Sequence, residues 1–172
     1  MNGFPALGCV MQQLGIDLTD HAPEVLRLAG EAFAETALWR PPGHSFEPLA
    51  EVVVDLIDAS LLHPHDLGAH ERKIEAAVRY GERRRREGVA EQFIFGEFGA
   101  LREAIHRYLE RCGRPRRVIR DARMRLEMAS SVAELAAIRG YHRAEFERVG
   151  LWDTLVGKLA RESPLLGLPE PR

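Results

Sequence analysis

The sequence predicts an all-α fold, a four-helix-bundle core with one or two flanking helices, with globin-like helical packing as the alternative. Three observations predict it. Apolar residues recur at helical spacing through most of the chain. Proline and glycine clusters cut that pattern into segments of helix length. Strand-like alternation is nearly absent, and short connections favour sequential helices packed antiparallel.

Residues 1–18 have no clear period and read as an N-terminal tail or short leading helix. Thr19 or Asp20 offers a cap, and Pro23 suits a first helical turn. Val25, Leu28, Ala29, Ala32, Phe33 and Ala37 then share one face. Arg40-Pro41-Pro42-Gly43 stops this helix, because proline lacks an amide donor and disfavours helical angles before it.

Ser45 is a candidate cap for the next helix, with Phe46, Leu49, Val53, Leu56, Ile57 and Leu61 as its stripe. Val52-Val53-Val54 is strand-like in composition. The flanking Glu51, Asp55 and Asp58 do not alternate with it, so the helical reading holds. His63-Pro64-His65 ends the segment. A third helix is expected over 69–86, with Ile74, Ala77, Val78 and Gly81 inward and Gly88 as a left-handed terminator.

A fourth helix starts near Glu91, with Ile94, Phe98, Leu101, Ile105, Tyr108 and Leu109 at a 3.6 period. Cys112-Gly113-Arg114-Pro115 ends it. A long fifth helix spans about 117–148, with Val118, Ala122, Leu126, Ala129, Val132, Ala133 and Ala136 on one side and a kink expected near Gly140. Residues 19–150 thus read as one helical domain. Residues 151–172 read as a short helix carrying Trp152, Leu155, Val156 and Leu159, then a frayed, proline-rich tail.

Composition narrows the function classes. The 172 residues are 45% hydrophobic and 29% charged, which excludes wholesale disorder. Two cysteines, Cys9 and Cys112, do not make a disulfide framework. No apolar run reaches the roughly 20 residues of a membrane span, and the N-terminus lacks the basic start of a secretory leader. A cytoplasmic protein is expected. Residues 1–80 carry 5 basic and 12 acidic side chains, whereas residues 81–125 carry 13 and 7. Such polarity suits steering of a partner or head-to-tail pairing of two copies. The plainer reading is a solvated face of paired arginines.

Residues 79–105 read RYGERRRREGVAEQFIFGEFGALREAI. Gly81, Arg84, Gly88, Glu97, Phe98, Leu101, Arg102 and Ile105 occupy the places of a motif, and the segment resembles the hallmark of the RsbRD-type N-terminal domain. That domain is the input domain of stressosome co-antagonists and of sensor histidine kinases. Tyr80 stands where the family usually has His. The resemblance implies a non-catalytic, all-helical sensory or regulatory module without a cofactor. The implied partners are a signalling protein of kinase or anti-sigma/antagonist type and a second copy of the chain.

The residues also speak for themselves. Glycine in mid-helix costs roughly 1 kcal/mol relative to alanine, so Gly81 suggests a close crossing of helices three and four. Arg84 and Arg102 could each reach Glu97 between those helices, either as a buried pair that sets register or as surface pairs worth about 0–1 kcal/mol.

Other chemistry is sparser. Glu103 and His106 make one Glu-x-x-His step, whereas bundle di-iron sites need two such steps and two more glutamates. His63, His65 and His70, with Asp66 and Glu71, are a loose metal-ligand cluster. His63, His106 and His142 are formal haem ligands. Arg83–Arg86 with Arg114, Arg116, Arg117 and Arg120 would suit a nucleic-acid regulator on the 83–120 face. The aromatic start of helix four reads instead as core, so nucleic acid is not the expected partner. Phe93, Phe95, Tyr108 and Trp152, near Phe98, read as core or as a pocket for a small apolar ligand. No nucleophile with its base, no paired carboxylates in a glycine-marked turn and no phosphate loop stand out, so an enzyme is not expected.

Overall fold

The computed structural model describes residues 7–36 and 44–149. Six α-helices form a bundle, and no strand occurs among the described residues. They are α1 (Leu7–Asp20), α2 (Ala22–Thr36), α3 (Ala50–Ile57), α4 (Leu67–Arg86), α5 (Glu91–Arg111) and α6 (Arg116–Val149). None of the described helices is long and apolar enough to cross a membrane.

Of the expected N-terminal tail or short leading helix, the described part is helical from Leu7 and belongs to the core. Met11, Leu14 and Leu18 of α1 are buried in the same cluster as the other helices. Their spacing of three and four residues is the signal that the mixed polar and glycine content obscured. Thr19 is not a cap, since its hydroxyl donates to the Gly15 carbonyl at 2.9 Å within α1. Only His21 separates α1 from α2. The predicted inward face of α2 is confirmed by burial of Val25, Leu28, Ala29, Ala32 and Phe33; Ala37 lies outside the described residues.

The predicted second helix is composite. A 3-10 turn over Glu47–Leu49 leads into α3, and a π turn over Asp58–Leu62 closes it. Ser45 is not the cap of either segment, that place falling to Phe46 for the 3-10 turn and to Leu49 for α3; its Oγ accepts from the Glu47 amide at 3.1 Å just ahead of the turn. Val52 and Val53 are fully buried within α3, so the valine run is helical. At the π turn, Ser60 Oγ donates to the Leu56 carbonyl at 2.6 Å, and the His63 amide donates to Asp58 O at 2.8 Å. Pro64 then prevents continuation.

Asp66 caps α4 by accepting from the Gly68 amide at 2.9 Å. At its other end Gly88 takes φ 73°, its amide donating to Arg85 O while Val89 donates to Arg84 O. This paired closure uses a left-handed residue, which glycine adopts without a Cβ clash. On α5, Ile94, Phe98, Leu101, Ile105 and Leu109 are buried as their spacing predicts.

The 34-residue α6 is about 50 Å long and is the axis of the bundle. It packs most extensively along α4 and also against α5. α4 and α6 run parallel, with Gly81 against Ala137 and Arg85 against Tyr141. α5 runs antiparallel to α6, with Arg102 reaching Glu134 and His106 reaching Glu127. The helix runs without a break through Gly140. A Cβ at Gly81 would stand 1.8 Å from the Ala137 carbonyl oxygen, and one at Gly140 would stand 2.1 Å from that of Val78. Both glycines therefore serve backbone-to-backbone approach. The close crossing lies between α4 and α6, not between α4 and α5 as the sequence reading placed it. Ile74 and Val132, assigned to the core by spacing, are 38% and 45% exposed. The predicted C-terminal helix with Trp152 lies outside the described residues.

Candidate functional site

A cluster of ionisable groups lies inside the bundle where α2, α4, α5 and the stretch entering α3 converge. Glu97 on α5 is its centre and is fully buried. The spacing of Ile94, Phe98 and Leu101 turns that face of α5 inward, and Glu97 goes with it. Arg84 on α4 donates to Glu97 Oε1, and Tyr80, one helical turn earlier, donates its hydroxyl proton to Oε2. Arg84 Nε also donates to the Tyr80 oxygen at 3.2 Å, and the guanidinium lies over the Tyr80 ring.

The other side is closed by residues just before α3. His44 Nε2 lies 3.0 Å from Glu97 Oε1. Its ring stacks on Phe33 of α2 at 5.0 Å between centroids and meets Phe46 edge-on at 5.4 Å. Arg84 Nη2 donates to the Ser45 carbonyl at 2.7 Å, and Nη1 donates to Glu87 at 2.9 Å. One carboxylate thus ties together three chain segments, and most donors of the guanidinium are satisfied.

Electrostatics follow from this burial. Loss of water pushes the Glu97 carboxyl up, more than Arg84 and the two hydrogen bonds pull it down. Burial likewise lifts the Tyr80 hydroxyl well above its ordinary range, and the Glu97 charge adds to the effect. For Arg84, burial works against the charge, but Tyr80 and Glu97 outweigh it and hold the guanidinium protonated. Removing two charges from water costs several kcal/mol per ion, so such a pair fixes geometry more than it adds stability. His44, Tyr80, Arg84 and Glu97 are each at most 9% exposed. A dissolved substrate does not reach them in this arrangement; their chemistry is that of a lock between segments.

The remaining motif positions divide. Phe98, Leu101 and Ile105 are core, Gly88 terminates α4, and Gly81 contacts α6. Arg102 does not reach Glu97. Five residues place it roughly 140° around α5, and it pairs with Glu134 of α6 instead.

Among the described residues, the three aromatic pocket candidates do not come together. Phe93 lies by Phe33 and His44, and Phe95 is 47% exposed. Tyr108 is about four helical turns away from Phe93, with its hydroxyl on the Asp17 carbonyl and its ring near His21. Trp152 lies outside the described residues.

The other candidates disperse as well. His63 binds Asp58 at 2.6 Å, and His70 contacts the Pro64 carbonyl at 3.0 Å. Glu103 pairs with Arg107, whereas His106 pairs with Glu127 and His142 with Glu91. No three His, Cys, Asp or Glu side chains among the described residues group closely enough to hold a metal ion. The arginine runs do not form one face. Arg83 pairs with Glu87, Arg84 is buried, Arg85 lies over Tyr141, and Arg114 reaches Asp17.

Sequence reasoning missed two members of the cluster. Tyr80 precedes Arg84 by four residues, a spacing that places both on one helix face and could have flagged it. His44 follows a proline-glycine run and carries no local signal. Comparison of the chain with protein-family models, with curated proteins and with solved structures finds no match.

Proposed function

We propose that the chain is a non-catalytic sensory or regulatory input module of bacterial signal transduction, acting through protein–protein contact as a homodimer in the cytoplasm. Its output partner would be a signalling protein of the kinase or anti-sigma/antagonist type. The observation that carries the reading is the pairing of Arg84 with Glu97 inside the bundle. These are the two charged positions of the RsbRD-like segment that meet, and they meet as a buried lock between helices.

A contact surface supports the same reading. Met124, Met128, Val132 and Leu135 lie exposed at helical spacing along α6, Leu135 at 70%. An apolar row of this kind is a common mark of a protein-binding face. Sedimentation of the purified chain tests the reading. A dimer is expected, with Leu135→Glu shifting it toward monomer while helical content is retained. A monomer unaffected by Leu135→Glu would remove the homodimer, and measured phosphotransfer or hydrolysis by the chain alone would overturn the non-catalytic assignment.

A further inference from the structure

Lys73 of α4 is only 4% exposed. Among the described residues no carboxylate or hydrogen-bond acceptor is paired with its ammonium group. Burial alone pushes its pKa down. Buried charges are ordinarily paired, because an uncompensated one loses its hydration without return. Lysine Nζ here has somewhere to turn. The side chain lines a groove of about 530 Å³ between α4, α6 and the π turn, within the size range of small-ligand sites. Ile74, Met128 and Val132 also line that groove. All three are large apolar side chains left exposed in this fold, Met128 at 66%. Arg125 and His65 are further polar groups on its wall.

We infer that this groove binds a small amphiphile with a single acidic head and an apolar chain, the head paired with Lys73 and the chain lying along Ile74, Met128 and Val132. The acid supplies the missing partner of the lysine through a charge-assisted hydrogen bond. The chain covers apolar surface that water now meets. Of the two cations on the wall, Lys73 is buried and Arg125 exposed, so a single carboxylate suffices as the buried partner.

Met128 and Val132 belong both to this groove and to the exposed row on α6, so a bound amphiphile and a second copy of the chain would compete for them; calorimetry reads the ligand, whereas sedimentation reads the oligomeric state.

Titration calorimetry on the intact chain with octanoate, octanol and acetate tests the inference. Octanoate is expected to bind at one site, at least about tenfold tighter than octanol, since the charged hydrogen bond is worth that much. Acetate, lacking the chain, is expected to be weaker still. Lys73→Met is expected to abolish the preference for octanoate over octanol while leaving the helical circular dichroism unchanged. Met128→Glu, at an exposed position, is expected to weaken octanoate at least tenfold by placing a negative charge on the wall. It decides the matter should Lys73→Met fail to fold. Absence of saturable octanoate binding, equal affinity for octanoate and octanol, or unchanged octanoate affinity in both variants overturns the inference.

Discussion

Arg84 of α4 and Glu97 of α5 form an ion pair in which neither side chain is more than 4% exposed. Breaking such a pair leaves the surviving charge buried. Glu97→Gln keeps the shape and is expected to cost about 3–5 kcal/mol in urea denaturation. Arg84→Met with Glu97→Leu removes both charges and is expected to cost much less than the sum of the single changes. A loss below about 1 kcal/mol for Glu97→Gln would show that Glu87 and the Ser45 carbonyl suffice for the guanidinium.

The glycines of the long helices separate by their surroundings. Gly81→Ala and Gly140→Ala each drive a methyl group into a facing carbonyl. Each is expected to destabilise by about 1–3 kcal/mol or more, although alanine is the better helix former. A Cβ at Gly99 of α5 meets nothing within 4 Å. Gly99→Ala is therefore expected to stabilise, by up to about 1 kcal/mol. Thermal denaturation of the three variants checks the ordering, and a neutral Gly81→Ala would mean that α4 and α6 stand farther apart.

Acid sensitivity should trace in part to Asp58. Burial works to raise its carboxyl, but hydrogen bonds from His63 and Arg72 prevail and hold it below its ordinary value. A depressed folded pKa contributes stability above the unfolded value near 4, and that stability is lost as pH falls through the folded pKa. Glu97, raised by burial, works with the opposite sign, favouring the fold in acid and losing that contribution as pH rises through its folded pKa. In thermal melts across pH 2–7, Asp58→Asn is expected to lower the midpoint near neutrality and to flatten its decline below about pH 4. An unchanged slope would exclude Asp58 as a source.

The helical class was legible because α2, α4 and α5 each carry an apolar stripe at the helical period, as Ile94, Phe98, Leu101 and Ile105 illustrate. α1 was readable only as a tail or a short leading helix, since three buried side chains among glutamines and glycines make a weak stripe. Gly81 was read correctly as a point of close approach but given the wrong partner. Its true contact, Ala137, lies 56 positions along the chain, and no local pattern encodes such a meeting. Pairing of Glu97 with Arg84 was readable as a choice between two arginines, and helical phase decided it. Lys73 was invisible, because a lysine in a charged helix reads as solvent-facing until the neighbours that bury it are known.

The placement of His44 has a consequence for how the molecule loosens. His44 and Ser45 precede the first turn of α3 and make no helical hydrogen-bond ladder of their own. What fastens them is side-chain chemistry, through the ring of Phe33 and the groups gathered at Glu97. Opening of this stretch therefore means breaking the Phe33 stacking and the bonds gathered around Glu97 rather than unwinding a helix. Amide exchange there reads the state of a carboxylate that lies beyond two further helices in the chain and that the fold brings within 3.0 Å of His44.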